Sequence, residues 1–268
     1  MKIFAIKDDT LSLKGPLGYL IYCESARAFY IEIDETIEPR FLPPLLSSFA
    51  AKHIRSIDRF WSRRFVQYRI VPPDRQNIGL ILRDNGLKEY DEYALLMRAE
   101  GRCEQDDCYL EEVTMEELPD YLNLRWQNRI VEVIPLKIPE LLIFYAKGDA
   151  KRVNVQALAG RECQPYLADQ DRFDRVAIQP GGFGIEWSER AYISYRDLSV
   201  GCSVPLTLPD LNRYLQHRLV NAAEAGQLLG CSRQNIDDLM RRDKLHPLRK
   251  DAKYKLFSRA EVENRMRE

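Results

Sequence analysis

From Leu219 to Pro247 the chain reads LVNAAEAGQLLGCSRQNIDDLMRRDKLHP. Asn221 is a residue whose side-chain oxygen serves the free amides of a helix's first turn. Ala222, Ala225, Leu228 and Leu229 then fall on or beside one face at helical spacing. Gly230 supplies the tight stop. Ser232 caps a second helix that turns Ile236, Leu239 and Met240 inward. Two helices joined by a three- or four-residue turn containing glycine form the helix-turn-helix pattern.

The outward residues of the second helix carry the functional reading. Its first turn presents Ser232, Arg233, Gln234 and Asn235. The N-terminal end of a recognition helix meets base edges, where Arg suits guanine and Gln or Asn suits adenine. Free backbone amides at that end also suit a phosphate. Arg241, Arg242 and Lys244 follow as phosphate-holding candidates. Beyond them, LRKDAKYKLF from Leu248 to Phe257 alternates and is basic around a turn, as a β-wing is. It adds Arg249, Lys250, Lys253, Tyr254 and Lys255 to the predicted DNA-binding set. Ser258 caps a last helix, Arg259–Arg267, with Val262 and Met266 facing in.

This stretch resembles the helix-turn-helix of the MerR and excisionase group over about fifty residues. The matching pieces are Ala223-Glu224-Ala225, Leu229-Gly230-Cys231-Ser232-Arg233-Gln234, Lys244-Leu245-His246-Pro247, the wing Arg249–Phe257, and Ser258-Arg259-Ala260-Glu261-Val262. The chain departs from that pattern at Cys231, usually a valine-like residue, and at Asp243-Lys244, where a glycine is common. The resemblance implies binding to double-stranded DNA. The alternative is the same scaffold reused for protein contact.

The charge distribution agrees. The whole 268-residue chain has a formal net charge of −1, but Arg218 to Glu268 holds 12 Lys+Arg against 8 Asp+Glu. The remainder is therefore 28 against 33, an acidic body with a basic end. A length of 268 residues suits two or three domains. There is no run of about twenty apolar residues to span a bilayer. The start, Met1-Lys2-Ile3-Phe4-Ala5-Ile6-Lys7-Asp8, is too charged for a signal peptide, so a cytoplasmic protein with reduced thiols is expected.

Residues 1–113 read as an α+β domain. Lys2–Ile6, Gly18–Cys23 and Ala28–Ile33 are strand-like, with Glu24-Ser25-Ala26-Arg27 as a hairpin turn. Helices are expected at Leu45–Ala51, at Ile57–Arg69, from Asp74 to Asp84 with a stop at Asn85-Gly86, and at Asp91–Ala99. In the second of these, aromatics at helical spacing predict a core side, and Arg55, Arg59, Arg63, Arg64 and Arg69 a solvated basic side; a nucleic-acid face is the other option. This segment resembles the N-terminal subdomain of HipA-type toxin kinases. The likeness rests on Leu17-Gly18-Tyr19-Leu20 with Phe29-Tyr30, on Ile70-Val71-Pro72-Pro73-Asp74-Arg75, on Tyr90-Asp91-Glu92-Tyr93-Ala94-Leu95-Leu96, and on Gly101-Arg102-Cys103. The kinase catalytic motifs are absent, so the resemblance implies an interaction domain.

Residues 114–129 read as a connector with some helix, and 130–208 as a small β-rich domain. Its strands are Val131–Ile134, Leu141–Tyr145, Arg152–Val155, Phe173–Ile178, Gly184–Trp187 and Arg190–Ile193, with helical turns at Gln156–Gly160 and Tyr166–Gln170. Lys147-Gly148-Asp149-Ala150 is a hairpin turn. Pro180-Gly181-Gly182 is read as a turn, because a phosphate loop needs a following Lys-Ser/Thr. The domain resembles the bacterial family known as domain of unknown function 2442. The likeness rests on Lys151-Arg152-Val153-Asn154-Val155, Tyr166-Leu167-Ala168-Asp169-Gln170-Asp171-Arg172-Phe173 with Val176, and Pro180-Gly181-Gly182-Phe183-Gly184-Ile185-Glu186-Trp187. That resemblance implies no catalytic activity.

Residues 209–268 hold a linking helix, Leu208–Leu215 with Asp210 as cap, and the winged helix-turn-helix. Cys103 and Cys108 lack the second ligand pair that structural zinc needs, and Glu104, Asp106 and Asp107 around them read as a solvated surface. His53, His217 and His246 are isolated, and no nucleophile elbow occurs. The expectation is a multidomain α+β regulator that binds DNA, with no catalytic residues, metal or cofactor. One small module makes few base contacts, so a homodimer joined through residues 1–210 is expected. The alternative is an antitoxin-like or adaptor protein whose body holds a protein partner.

Overall fold

The computed structural model describes residues 1–11, 15–200, 203–248 and 255–265. It is a mixed α+β chain. The first part contains β1 (Lys2–Asp8), β2 (Gly18–Cys23), β3 (Ala28–Ile33), α1 (Pro44–Ala50), β4 (Ser56–Ile57), α2 (Arg59–Gln67), α3 (Ile78–Asp84), α4 (Glu92–Arg98), β5 (Cys108–Glu112) and α5 (Asp120–Gln127). The five strands form one antiparallel sheet in the order β4-β3-β2-β1-β5.

Both faces of this sheet are buried, which is why β2 and β3 read as apolar runs, broken only by Glu32. The alternation of a strand divides their side chains. Phe4, Ile6, Leu20, Phe29 and Ile31 meet Leu46, Phe65, Val66 and Leu96 of the helices on one face. Ile3, Ala5, Tyr19, Ile21 and Tyr30 meet Leu118 and Leu122 on the other. Segment 114–129 is thus packed over the sheet, with Thr114 and Glu117 closing a reciprocal cap before α5.

Several helix limits differ from the expectation. Asp58 accepts a hydrogen bond from the Trp61 amide, so α2 starts at Arg59 and Ile57 is left to pair in β4. The helix expected from Asp74 begins only at Ile78, after turns at 73–74 and 76–77. It does stop at Gly86, whose φ is +67°. The aromatic side of α2 is not a core side: Phe65 is buried, but Phe60 and Tyr68 are more than half exposed. Nor is its basic side simply solvated. Arg63 pairs with Glu92, and Arg69, 3% exposed, pairs with Asp106 at 2.5 Å. Asp106 is therefore a half-buried counter-ion, while Glu104 and Asp107 beside it are exposed. The five described cysteines are free.

The middle part holds β6 (Ile130–Pro135), β7 (Glu140–Tyr145), β8 (Ala150–Asn154), α6 (Gln164–Leu167), α7 (Gln170–Phe173), β9 (Ala177–Ile178), β10 (Gly184–Glu186), β11 (Tyr192–Ser194), α8 (Tyr195–Val200) and β12 (Ser203–Val204). It makes two antiparallel sheets, β12-β8-β7-β6 and β11-β10-β9, around a core that includes Leu141, Ile143, Val153, Phe173, Ile185 and Ile193. Phe173 ends a helix capped by Asp169 and does not open a strand. Pro180-Gly181-Gly182 is a tight turn with both glycines at φ +74°, and a Cβ on Gly182 would stand 2.5 Å from the Ile130 carbonyl oxygen. Stacking of Tyr30 on Phe183 and the Arg59–Glu186 ion pair join this part to the first sheet.

α9 (Leu208–Arg218) is longer than expected and lies against the four-stranded sheet. Thr207 is its cap, with Asp210 reaching back from the third helical position. Asp210 also meets Arg152, Arg213 meets Asp174, and Arg218 meets Glu132. The chain then runs directly into β13 (Leu219–Asn221), α10 (Ala222–Leu229), α11 (Arg233–Arg241), β14 (Leu256–Ser258) and α12 (Arg259–Arg265). No helix among the described residues is long and apolar enough to cross a membrane.

Candidate nucleic-acid interface

The C-terminal part has a core of its own: Val220, Ala225, Ile236, Leu245, Phe257 and Val262 are all buried together. Asn221 caps α10 by accepting from the Ala223 and Glu224 amides, and Glu224 returns the bond to the Asn221 amide. This is a reciprocal capping box. α10 ends at Gly230 in the left-handed conformation, φ +62°. Its last carbonyls are satisfied by Gly230 N–H to Gln227 and Cys231 N–H to Gly226. Ser232 then caps α11 by accepting from the Asn235 amide at 3.3 Å.

α11 ends in the same way. Asp243 N–H donates to the Met240 carbonyl and Lys244 N–H to the Leu239 carbonyl. That paired pattern requires a left-handed residue, and Asp243 takes it at φ +54°. This is the position where the resembled pattern commonly has glycine. Aspartate is one of the few L-residues that visits this region without a large penalty.

The two helices place the predicted readers together. Ser232, Arg233, Gln234 and Asn235 are all exposed on the first turn of α11. Among the described residues the Arg233, Gln234 and Asn235 side chains make no hydrogen bond or ion pair. Arg241 and Arg242 are exposed but tied to Asp238, at 3.3 and 2.8 Å. Lys244 is exposed. Lys255 is half-buried and lines a shallow cleft with Asp237 and His246. Arg249, Lys250, Lys253 and Tyr254 lie outside the described residues, as does Met266.

The base of the expected wing is present. Pro247 bridges to Phe257, and Leu248 N–H donates to the Leu256 carbonyl at 2.8 Å. Sequence reasoning missed that β14 also pairs antiparallel with β13, so that Val220 faces Phe257. Three-residue strands give no periodic signal of their own. It also missed the role of His246. Its backbone N–H and Nδ1 both meet Glu261 Oε1, at 2.9 and 2.8 Å, and its Nε2 lies 3.3 Å from Asp243. The bond to Glu261 and the nearby Asp243 charge raise the imidazole pKa above its usual value. The ring thereby ties the end of α11 to α12.

Compared with known protein families, curated proteins and solved structures, the chain matches none. Among the described residues no three His, Cys, Asp or Glu side chains are grouped as a metal ion would require.

Proposed function

We propose that residues 219–248 and 255–265 form the described portion of a winged helix-turn-helix of MerR or excisionase type, and that the chain is a sequence-specific regulator binding double-stranded DNA as a homodimer. One observation carries this reading. The first turn of α11 presents Arg233, Gln234 and Asn235 outward, with no intramolecular partner to occupy them among the described residues. Groove-reading side chains must be free in this way, whereas phosphate contacts can be shared with neighbouring carboxylates. The body supplies dimerisation or sensing.

The test is selection from a random duplex library by the full chain, followed by fluorescence anisotropy over a salt series. Arg233→Ala and Gln234→Ala each weaken the selected site by about 1–3 kcal/mol and relax preference at one position. Their affinity for unrelated duplex stays within error. Removing residues 219–268 abolishes binding. A chain that selects no sequence, or that binds equally well without those residues, refutes the proposal.

A second reading has a specific observation in its favour. Phe60 and Trp61 on α2 and Tyr68 at its C-terminal end are 55%, 39% and 54% exposed. Exposed aromatics are enriched where protein partners dock. An adaptor or antitoxin-like body, with DNA binding for autoregulation, accounts for them. Copurification of a protein partner that is lost in Phe60→Ser/Tyr68→Ser separates this reading from a homodimer alone.

A further inference from the structure

Between the first sheet and the middle part lies a cavity of about 400 Å³. That is within the range of pockets that hold small molecules. Five rings line it, Tyr30, Phe49, Phe183, Tyr192 and Tyr195, with Tyr30 and Phe183 stacked on each other at 4.2 Å, and most of the remaining lining is polar. The Arg125 side chain of α5, only 14% exposed, lines it. The guanidinium is held over the Phe183 ring at 4.7 Å and the Tyr195 ring at 3.8 Å.

This arginine has a loose ion pair with Glu32 but donates no hydrogen bond of good length among the described residues. Glu32 Oε1 lies 3.6 Å from Arg125 Nε, beyond good hydrogen-bonding distance, and has no hydrogen-bond partner of its own, while the Ser56 hydroxyl donates to Oε2. No carbonyl among the described residues takes up the remaining donors. Tyr30 is 2% exposed, and its buried hydroxyl also lacks a hydrogen-bond partner. The two acidic residues that line the cavity are already committed. Asp58 caps α2 and accepts from the Tyr192 hydroxyl, and Asp197 accepts from Ser194. The unspent capacity is thus the Arg125 guanidinium, which lines the cavity, with the Tyr30 hydroxyl and Glu32 Oε1 unpartnered beside it. A buried polar group left unmatched costs free energy, so such a set is stable when something fills it.

We propose that this cavity binds a small carboxylate with an aromatic body. The fork of Arg125 matches a carboxylate bidentately, and the enclosing rings match a flat apolar portion. Glu32 already offsets part of the Arg125 charge, which favours a singly charged anion over a doubly charged phosphate. Arg196 stands at the exposed rim, donating to the His53 carbonyl at 3.1 Å. The inference does not depend on DNA binding.

The test uses the full chain without DNA. Benzoate, phenylacetate and indole-3-acetate are titrated by calorimetry and by saturation-transfer NMR, each beside its primary alcohol. At least one carboxylate binds with unit stoichiometry, and its alcohol binds tenfold or more weakly. Arg125→Gln raises Kd by roughly tenfold or more, because a hydrogen-bonded charge is lost. Tyr30→Phe, which keeps the ring, raises it about threefold. If Arg125→Gln fails to fold by circular dichroism, Glu32→Gln/Arg125→Gln, which removes both charges together, replaces it. The proposal is overturned if no carboxylate probe binds the wild-type chain, or if binding is unchanged in either the Arg125 or the Tyr30 variant.

Discussion

Ile236→Ala separates the C-terminal part from the rest of the chain. Ile236 is fully buried, and Val220, Ala225, Leu245, Phe257 and Val262 complete its core. Truncating such a side chain costs about 2–5 kcal/mol, through lost burial and the cavity left behind. A core serving about fifty residues rarely supplies more than ~3–5 kcal/mol. The substitution therefore consumes most or all of that part's stability. The cores under β1–β3 and around β7 contain none of these residues, so they remain intact. Hydrogen exchange by mass spectrometry reads this directly. Amides of α10 and α11 exchange as in an unfolded chain, while those of β1–β3 keep their wild-type protection. Calorimetry shows a second transition, separated downward. If α11 amides stay within about 1 kcal/mol of wild-type protection, the core is not as isolated as described. If protection is lost equally in β1–β3, the parts are one cooperative unit and the reasoning fails.

Asp243→Gly tests the left-handed close of α11. Relief of a left-handed L-residue is worth about 1 kcal/mol, set against the loss of the Asp243–His246 contact, so the α11 amides gain up to that much protection. A marked loss of protection refutes the assignment. Asp106→Ala leaves Arg69 buried and unpaired at 3% exposure and lowers urea stability by about 3–5 kcal/mol, whereas Arg69→Met/Asp106→Leu recovers most of it. Equal losses in the single and double variants would contradict this. For His246 the folded pKa is raised, so the imidazolium stabilises fully below the unfolded pKa of about 6.5. That contribution fades as pH rises through the higher folded value. The C-terminal transition in calorimetry thus falls between pH 6 and 8 in the wild type, and less in His246→Gln. His217, whose pKa is lowered mainly by burial and then by Arg213, works in the other direction and only as pH drops below about 6.5.

Elements whose own residues carry the signal were legible. β2 and β3 lie at Gly18–Cys23 and Ala28–Ile33, where two short apolar runs on either side of a turn place them. The caps Asn221 and Ser232 and the stop at Gly230 stand where their chemistry requires. The unread elements are defined by partners. β5 has Glu111 and Glu112 on an edge strand and is a strand because β1 pairs with it. β13 is three residues long and exists through Phe257 opposite Val220. Arg125 and Glu32 are far apart in sequence, and no local pattern marks them as neighbours. The four outward residues of α11 were visible because helical spacing alone sends them away from Ile236.

The position of β1 has a consequence for the chain's synthesis. β1 pairs with β2 on one side and with β5 on the other. The first partner follows within a few residues, but the second emerges about 85 residues after β2 ends. At ribosomal speeds of about 5–20 residues per second, that leaves roughly 4–17 s between the two. Through that interval Ile3-Phe4-Ala5-Ile6 presents an unpaired apolar edge, the kind of template on which nascent chains aggregate. Lys2 and Lys7 bracket the run, and charges so placed act as gatekeepers. In the folded chain Lys7 pairs with Glu111 and Lys2 lies over the Tyr93 ring, surface contacts of small worth, so replacing both by uncharged residues lowers the yield of soluble chain more than it lowers the stability of the folded one.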